Sequence, residues 1–160
     1  MSFTTADLFD EFPSLLQGCS TQFRNYGRTK RFFGPVRTLR CENDNALFKS
    51  LLMSPGEGAV LVVDGAGSLD VALLGDMNAA LGVDNGWAGC IINGAVRDVS
   101  VLRTIDLGIK ALGSNPAKAS KNGTGGVDLL VSFGGAKFEP GMWVYCDEDG
   151  IALASQKLDI

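Results

Sequence analysis

The stretch that most constrains this chain runs from Leu73-Leu74-Gly75-Asp76-Met77-Asn78 to Gly94-Ala95-Val96-Arg97-Asp98. It reads as turn, helix, strand, turn. Residues 77–81 predict a helix, and residues 87–92 predict a buried strand. Gly86 punctuates the join between them, and Asn93-Gly94 opens the second turn. Polar residues therefore gather at the ends of elements, where side chains converge. The alternation of helix and apolar strand points to an α/β protein.

The residue types in those turns suit a small anion. Glycine at 75 allows a tight turn and close approach of a ligand to the backbone. The amides that follow open a helix, and unpaired amides at a helix start favour negative charge. Arg97 carries a planar fork that grips a carboxylate at two points. Asp98 is a hard oxygen ligand suited to Mg²⁺ or Mn²⁺. These residues together form a candidate site for a 2-oxo acid beside a divalent cation. Plainer roles stand beside that reading. An Asp before a helix also serves as its N-cap, which applies to Asp76 and Asp98, and Arg97 also suits an ordinary ion pair.

Composition narrows the chemistry. The 160 residues are 46% hydrophobic and 20% charged, with 21 glycines. That suits one compact, turn-rich domain over residues 1–160 rather than a disordered chain. There is no histidine, which excludes Ser-His-Asp and Cys-His catalysis, His-ligated zinc and imidazole acid–base work. Proton transfer then falls to carboxylates, Tyr, Lys, Arg-held groups or bound water. Cys19, Cys41, Cys90 and Cys146 form no CxxC pair, so zinc-ribbon and redox motifs lack support. No apolar run reaches the ~18 residues of a transmembrane helix, and the N-terminus lacks a basic-then-apolar signal pattern. The expectation is a soluble cytoplasmic protein with no membrane association. Fourteen Lys and Arg against 18 Asp and Glu leave a charge of −4. Such a domain is a poor general nucleic-acid binder and a reasonable partner for a basic protein segment.

Along the rest of the chain, Thr4 and Thr5 precede Leu8, Phe9 and Phe12 at helical spacing, and Pro13 ends the helix. Asp7, Asp10 and Glu11 suit its exposed face, as a solvated surface or an acidic surface for a partner. Residues 22–40 are basic and aromatic. Arginines on phosphates and rings on bases would make them an RNA surface, whereas a half-buried strand over residues 33–39, after a Gly34-Pro35 turn, makes the arginines its solvated or acid-binding face. Residues 45–53 predict a helix burying Leu47, Phe48, Leu51 and Leu52. Residues 59–64 predict a central strand. The Gly65–Ser68 loop has no Walker lysine and is not GxGxxG; it is expected to wall the Gly75 site. A short strand at 70–74, a helix at 99–105 and a strand at 109–112 follow. Residues 113–126 form a long polar loop in which nothing selects Lys118 or Lys121. Residues 127–133 predict an extended run, and strands 143–146 and 151–154 flank Asp147-Glu148-Asp149-Gly150, a hairpin turn without EF-hand spacing.

Asp76, twenty intervening residues and then Arg97-Asp98 match a D-x20-R-D pattern. With G-D-M-N at 75–78, D-N-G-W-A-G at 84–89, N-G-A-V-R-D-V at 93–99, T-A-D-L-F-D-E-F at 5–12 and the late G-G-V, the chain resembles the RraA-like family. That family holds 4-hydroxy-4-methyl-2-oxoglutarate/4-carboxy-4-hydroxy-2-oxoadipate aldolases and regulators of ribonuclease E activity. The likeness spans nearly the whole chain and is strongest to the regulator branch. It implies an α/β/β sandwich related to the phosphohistidine swivelling domain, and a homotrimer with sites near subunit interfaces.

For an aldolase, the resemblance implies that the backbone of Gly75, Asp76, Met77 and Asn78 together with Arg97 holds the pyruvyl group. It implies Asp76 and Arg97 as the catalytic residues, with Asp76 either a base or the group that positions water or Arg97, and Asp98 as the anchor of Mg²⁺ or Mn²⁺, partly through water. Oxaloacetate decarboxylation yields the same pyruvate enolate, so one site serves both reactions. The alternative is a non-catalytic regulator that binds and inhibits ribonuclease E and so modulates RNA processing and decay. One departure bears on the choice. Active members often carry an acid three residues after the Asp, and Val101 stands there in this chain.

Overall fold

The computed structural model describes residues 2–160. The Thr4 hydroxyl accepts from the Asp7 amide at 3.1 Å and caps α1 (Thr5–Glu11). Two short strands, β1 (Leu16–Gly18) and β2 (Arg24–Asn25), precede the long β3 (Phe32–Arg40). Next come α2 (Ala46–Leu52), β4 (Val60–Asp64), β5 (Ala72–Leu74), α3 (Asp76–Asp84), β6 (Gly89–Val96), α4 (Val99–Leu102) and β7 (Gly108–Ser114). The chain closes with β8 (Gly126–Val127), β9 (Val131–Phe133), β10 (Ala136–Phe138), β11 (Trp143–Cys146) and β12 (Ile151–Ala154). Among the described residues, no helix is long and apolar enough to cross a membrane.

The protein is a mixed α/β structure with a large mixed sheet and few helices. Strands β3, β4, β6 and β7 run parallel, with helices in the crossovers. On the other side, β3 runs antiparallel to β11, which carries β12 and then β1. Residues 32–35 of β3 pair with β11 and residues 36–40 pair with β4. The predicted Gly34-Pro35 turn is therefore no turn: it lies inside a strand at the point where β3 passes from one layer to the other. Glycine fits there because a Cβ at 34 would strike the Gly58 carbonyl. Proline fits because Pro35 needs no amide at that crossing.

Side-chain alternation explains the layers. Leu61 and Val63 of β4 face one core with Phe48, Leu52, Ala79 and Leu102 from the helices. Val60 and Val62 face the other core, with Val144, Leu153 and Phe138. A strand buried on both faces reads as a continuous apolar run, which is why 59–64 was legible as central. A third cluster seats Phe3 and Leu8 against Tyr145 on the outer layer.

Three further expectations change. Asn93-Gly94 does not open a turn: β6 continues to Val96 through a register irregularity between Ile92 and Ala95. The Asn93 side chain donates to Asp64 Oδ1 at 3.0 Å, and its carbonyl accepts from Gly65 and Gly67, so the end of β4 and the loop after it hold it extended. The run at 127–133 is not continuous, because Asp128 takes a left-handed φ of 59° and separates β8 from β9. Predicted α4 is shorter, ending at Leu102 rather than 105.

Candidate functional site

Two neighbouring strand ends build the site. β5 ends at Leu74 and β6 at Val96, and the Arg97 amide donates to the Leu74 carbonyl at 2.9 Å. The two chain segments that leave the sheet are thus tied together, and Arg97 and Asp98 are set against Gly75. A Cβ on Gly75 would lie 2.6 Å from Asp98 Oδ2 and 3.5 Å from Arg97 Nε. The sequence suggested a tight turn at Gly75. The backbone there is extended instead, φ −127° and ψ −172°, so the glycine is required for space and not for its conformation.

Asp98 carries the backbone irregularity. Its φ of 57° and ψ of 40° are left-handed, a costly conformation for a non-glycine residue that clusters at functional sites. It stands at the N-cap of α4 but makes no capping bond with its side chain. Oδ2 instead accepts from the Asp76 amide at 3.1 Å, and Asp76 Oδ1 accepts from the Met77 amide at 2.8 Å. The first two amides of α3 are therefore not unpaired, as expected from sequence; each faces a carboxylate oxygen, which is the charge that a helix start attracts. Arg97 forms no ion pair among the described residues. Its Nη1 lies 3.4 Å from the Pro116 carbonyl, and its fork is otherwise free.

Gly75, Asp76, Met77, Asn78, Arg97 and Asp98 all line one cavity of about 150 Å³. Its lining also includes Lys49 of α2 and Lys118 and Lys121 of the loop after β7. Four cationic side chains thus meet two carboxylates in an otherwise acidic chain. No local pattern marked these lysines, since only the tertiary fold brings α2 and the 113–126 loop to the strand ends. The Gly65–Ser68 loop does not wall this cavity. Leu73 lies between, packed where Cβ atoms at Gly65 or Gly94 would stand, and Ser68 bonds Asn43 instead. Val101 is exposed on α4. Among the described residues, no three acids or cysteines gather as a metal cluster; the carboxylates that line the cavity are Asp76 and Asp98.

The basic aromatic segment lies elsewhere. Tyr26 and Phe32 are buried, Arg37 grips Asp128 at 3.0 and 3.2 Å, and Arg40 donates to the Leu130 carbonyl. Arg24, Arg28 and Lys30 line a separate cleft with Arg103, where Arg28 pairs with Asp106 at 3.2 Å.

Known proteins share this fold. A family model described as RraA-like: Aldolase/RraA matches residues 5–153. The structure of the RNA-processing inhibitor RraA from Thermus thermophilis is 41% identical, with a TM-score of 0.95 over 99% of this chain and 96% of that one. A Geobacillus kaustophilus HTA426 structure, described as an S-adenosylmethionine:2-dimethylmenaquinone methyltransferase, is 42% identical, with a TM-score of 0.94 over 98% and 97%. Streptomyces coelicolor RraAS2, described as an unusual member of the RNase ES inhibitor RraA protein family, is 27% identical, with a TM-score of 0.76 over 94% and 78%.

Proposed function

Because this chain belongs to the RraA-like (Aldolase/RraA) family, we propose that it is a divalent-metal-dependent aldolase. It cleaves 4-hydroxy-4-methyl-2-oxoglutarate and decarboxylates oxaloacetate at the same site. The observation that carries this reading is the clearance at Gly75, where the absence of a side chain lets Asp98 and Arg97 close on one small cavity. A volume of about 150 Å³ suits a small oxo acid, whereas larger ligands need roughly 300 Å³ or more. An adenosine-bearing methyl donor is therefore a poorer match to this cavity.

Arg97 binds the carboxylate of the pyruvyl half in its free fork. Asp76 takes the proton of the C4 hydroxyl as the C3–C4 bond breaks. One pyruvate leaves as the C4 fragment, and the enolate of the other gains a proton at C3. From oxaloacetate the same bond breakage releases carbon dioxide and leaves the same enolate. Asp98 fits Mg²⁺ or Mn²⁺ as a hard oxygen ligand, since Mg²⁺ is commonly held by one or two carboxylates with water and substrate oxygens. Such an ion polarises the 2-oxo group and stabilises the enolate. Met77, which lines the cavity, is 79% exposed; it suits a homotrimer in which a neighbouring subunit covers this edge.

The test is pyruvate release from both substrates with Mg²⁺ or Mn²⁺ and then with EDTA, for wild type, Arg97→Ala and Asp98→Ala. Metal-dependent turnover lost in both variants is the expected result. A folded wild type that gives no turnover above the metal-only background refutes the catalytic reading.

A second reading has its own support. Val101 stands where active members often carry an acid, and the Thermus relative is described as an RNA-processing inhibitor. On that reading the protein binds ribonuclease E through its acidic surface, which includes Asp7, Asp10 and Glu11 on the exposed face of α1. Binding to an arginine-rich ribonuclease E fragment should weaken as salt rises. A complex indifferent to salt would count against acidic docking.

A further inference from the structure

Asp44 lies outside the cavity, in the turn between β3 and α2, and is almost wholly buried. Its Oδ2 accepts from the Asn122 amide at 2.6 Å, and its Oδ1 accepts from the Gly123 and Ala46 amides at 3.1 Å each. Backbone bonds flank this clamp: the Ser120 amide donates to the Asn43 carbonyl and the Asn45 amide to the Ser120 carbonyl, both at 2.9 Å. Lys121 is enclosed between these attachments. Residues 120–125 are all exposed, so no packing of their side chains holds this part of the loop. Lys118 is secured independently, by pairing of its segment with Ala72 of β5.

We propose that Asp44 is a positioning residue that sets Lys121 at the cavity wall to receive the distal carboxylate of the substrate. This rests on the aldolase reading above and extends it to the second pole of the substrate. 4-Hydroxy-4-methyl-2-oxoglutarate carries a carboxylate at each end. Arg97 takes the pyruvyl end, and Lys121 lines the same cavity as a second cation. A carboxylate suits the clamp because it only accepts, and every group that faces it donates. Burial alone would raise its pKa, but the amides of Asn122, Ala46, Gly123 and Thr124 outweigh that and hold it below the usual value, keeping it ionised. An asparagine keeps one acceptor but turns an NH₂ toward a donor.

Steady-state kinetics on wild type, Lys121→Ala, Asp44→Asn and the double variant test this. Each single change should raise KM for 4-hydroxy-4-methyl-2-oxoglutarate about tenfold, the scale of one lost charged contact. Turnover number should fall less than about threefold, because Arg97, Asp76 and Asp98 are unchanged. Inhibition by pyruvate, which has no distal carboxylate, should not change. The double variant should be no worse than either single one, as for two residues acting through one contact. Asn122→Pro removes the donor at 2.6 Å while leaving Asp44 in place, and should raise KM likewise even if Asp44→Asn fails to fold. Additive effects of the two single changes, or an unchanged KM in Asp44→Asn and Asn122→Pro, would overturn the inference while leaving the aldolase reading intact. A wild type without turnover overturns both.

Discussion

Replacing Gly75 with alanine isolates the feature on which the site depends. The backbone at Gly75 has φ −127°, a value open to any residue, so the substitution adds no backbone strain. It adds one methyl group, 2.6 Å from Asp98 Oδ2. Ordinary separation requires the carboxylate to retreat by roughly 0.5–1 Å. That movement breaks its 3.1 Å bond with the Asp76 amide. A hydrogen bond to a charged group contributes about 1.5–3 kcal/mol when sheltered, and less here because Asp98 is exposed. Removing a glycine returns about 0.4–1 kcal/mol through the unfolded chain. The two largely offset, leaving a net loss of about 1 kcal/mol or less, or a Tm shift within about 4 °C for a chain of this size. Activity should respond far more. Misplacing a reacting group by such a distance costs about 100-fold in rate, equivalent to about 2.7 kcal/mol of transition-state stabilisation. The assay is kcat/KM for metal-dependent pyruvate release beside a thermal melt. Gly113→Ala is the control, since its Cβ would meet only Leu69, at 3.7 Å. A Gly75→Ala protein with wild-type kcat/KM would refute the claim that clearance at this glycine builds the site.

Three other outcomes follow from buried polar groups. Asp147 accepts from the Thr5 amide and hydroxyl at 2.7 Å each. Burial would raise its pKa, but these bonds and those from Asp149 and Gly150 outweigh it, and the carboxyl lies below its ordinary 3.8. Its contribution should be complete above pH 3.8 and disappear as pH falls through the lower folded value, so Tm should drop more steeply in acid for wild type than for Asp147→Asn. Lys110 is buried, with Nζ 3.0 Å from Asn25 Oδ1 and 2.7 Å from the Asp147 carbonyl; Lys110→Met leaves both acceptors bare and should cost about 2–4 kcal/mol in urea unfolding. Burial pushes the Cys41 and Cys90 thiols up to about 12 and the Cys146 thiol higher still. Alkylation of native protein at pH 8, read by mass spectrometry, should therefore favour the half-buried Cys19.

Local pattern determined a good deal of this protein. The capped α1, the apolar β4 and the β11–β12 hairpin lie where periodicity and turn residues place them, because each signal is contained in a few neighbouring residues. The family resemblance carried by the D-x20-R-D spacing singled out Asp76, Arg97 and Asp98, and all three line one cavity. Long-range pairing decided the rest. Gly34-Pro35 and Asn93-Gly94 carry turn chemistry, yet both lie inside strands, because pairing of Gly34-Pro35 with β11 and of Asn93 with β4 keeps the backbone extended. Lys49, Lys118 and Lys121 join the site only through α2 and a loop clamped by Asp44, contacts that span dozens of residues. The sequence by itself therefore determined which groups are available for chemistry at the strand ends. Only the tertiary structure decided which charges surround them, because Coulomb interactions depend on distance in space and not along the chain.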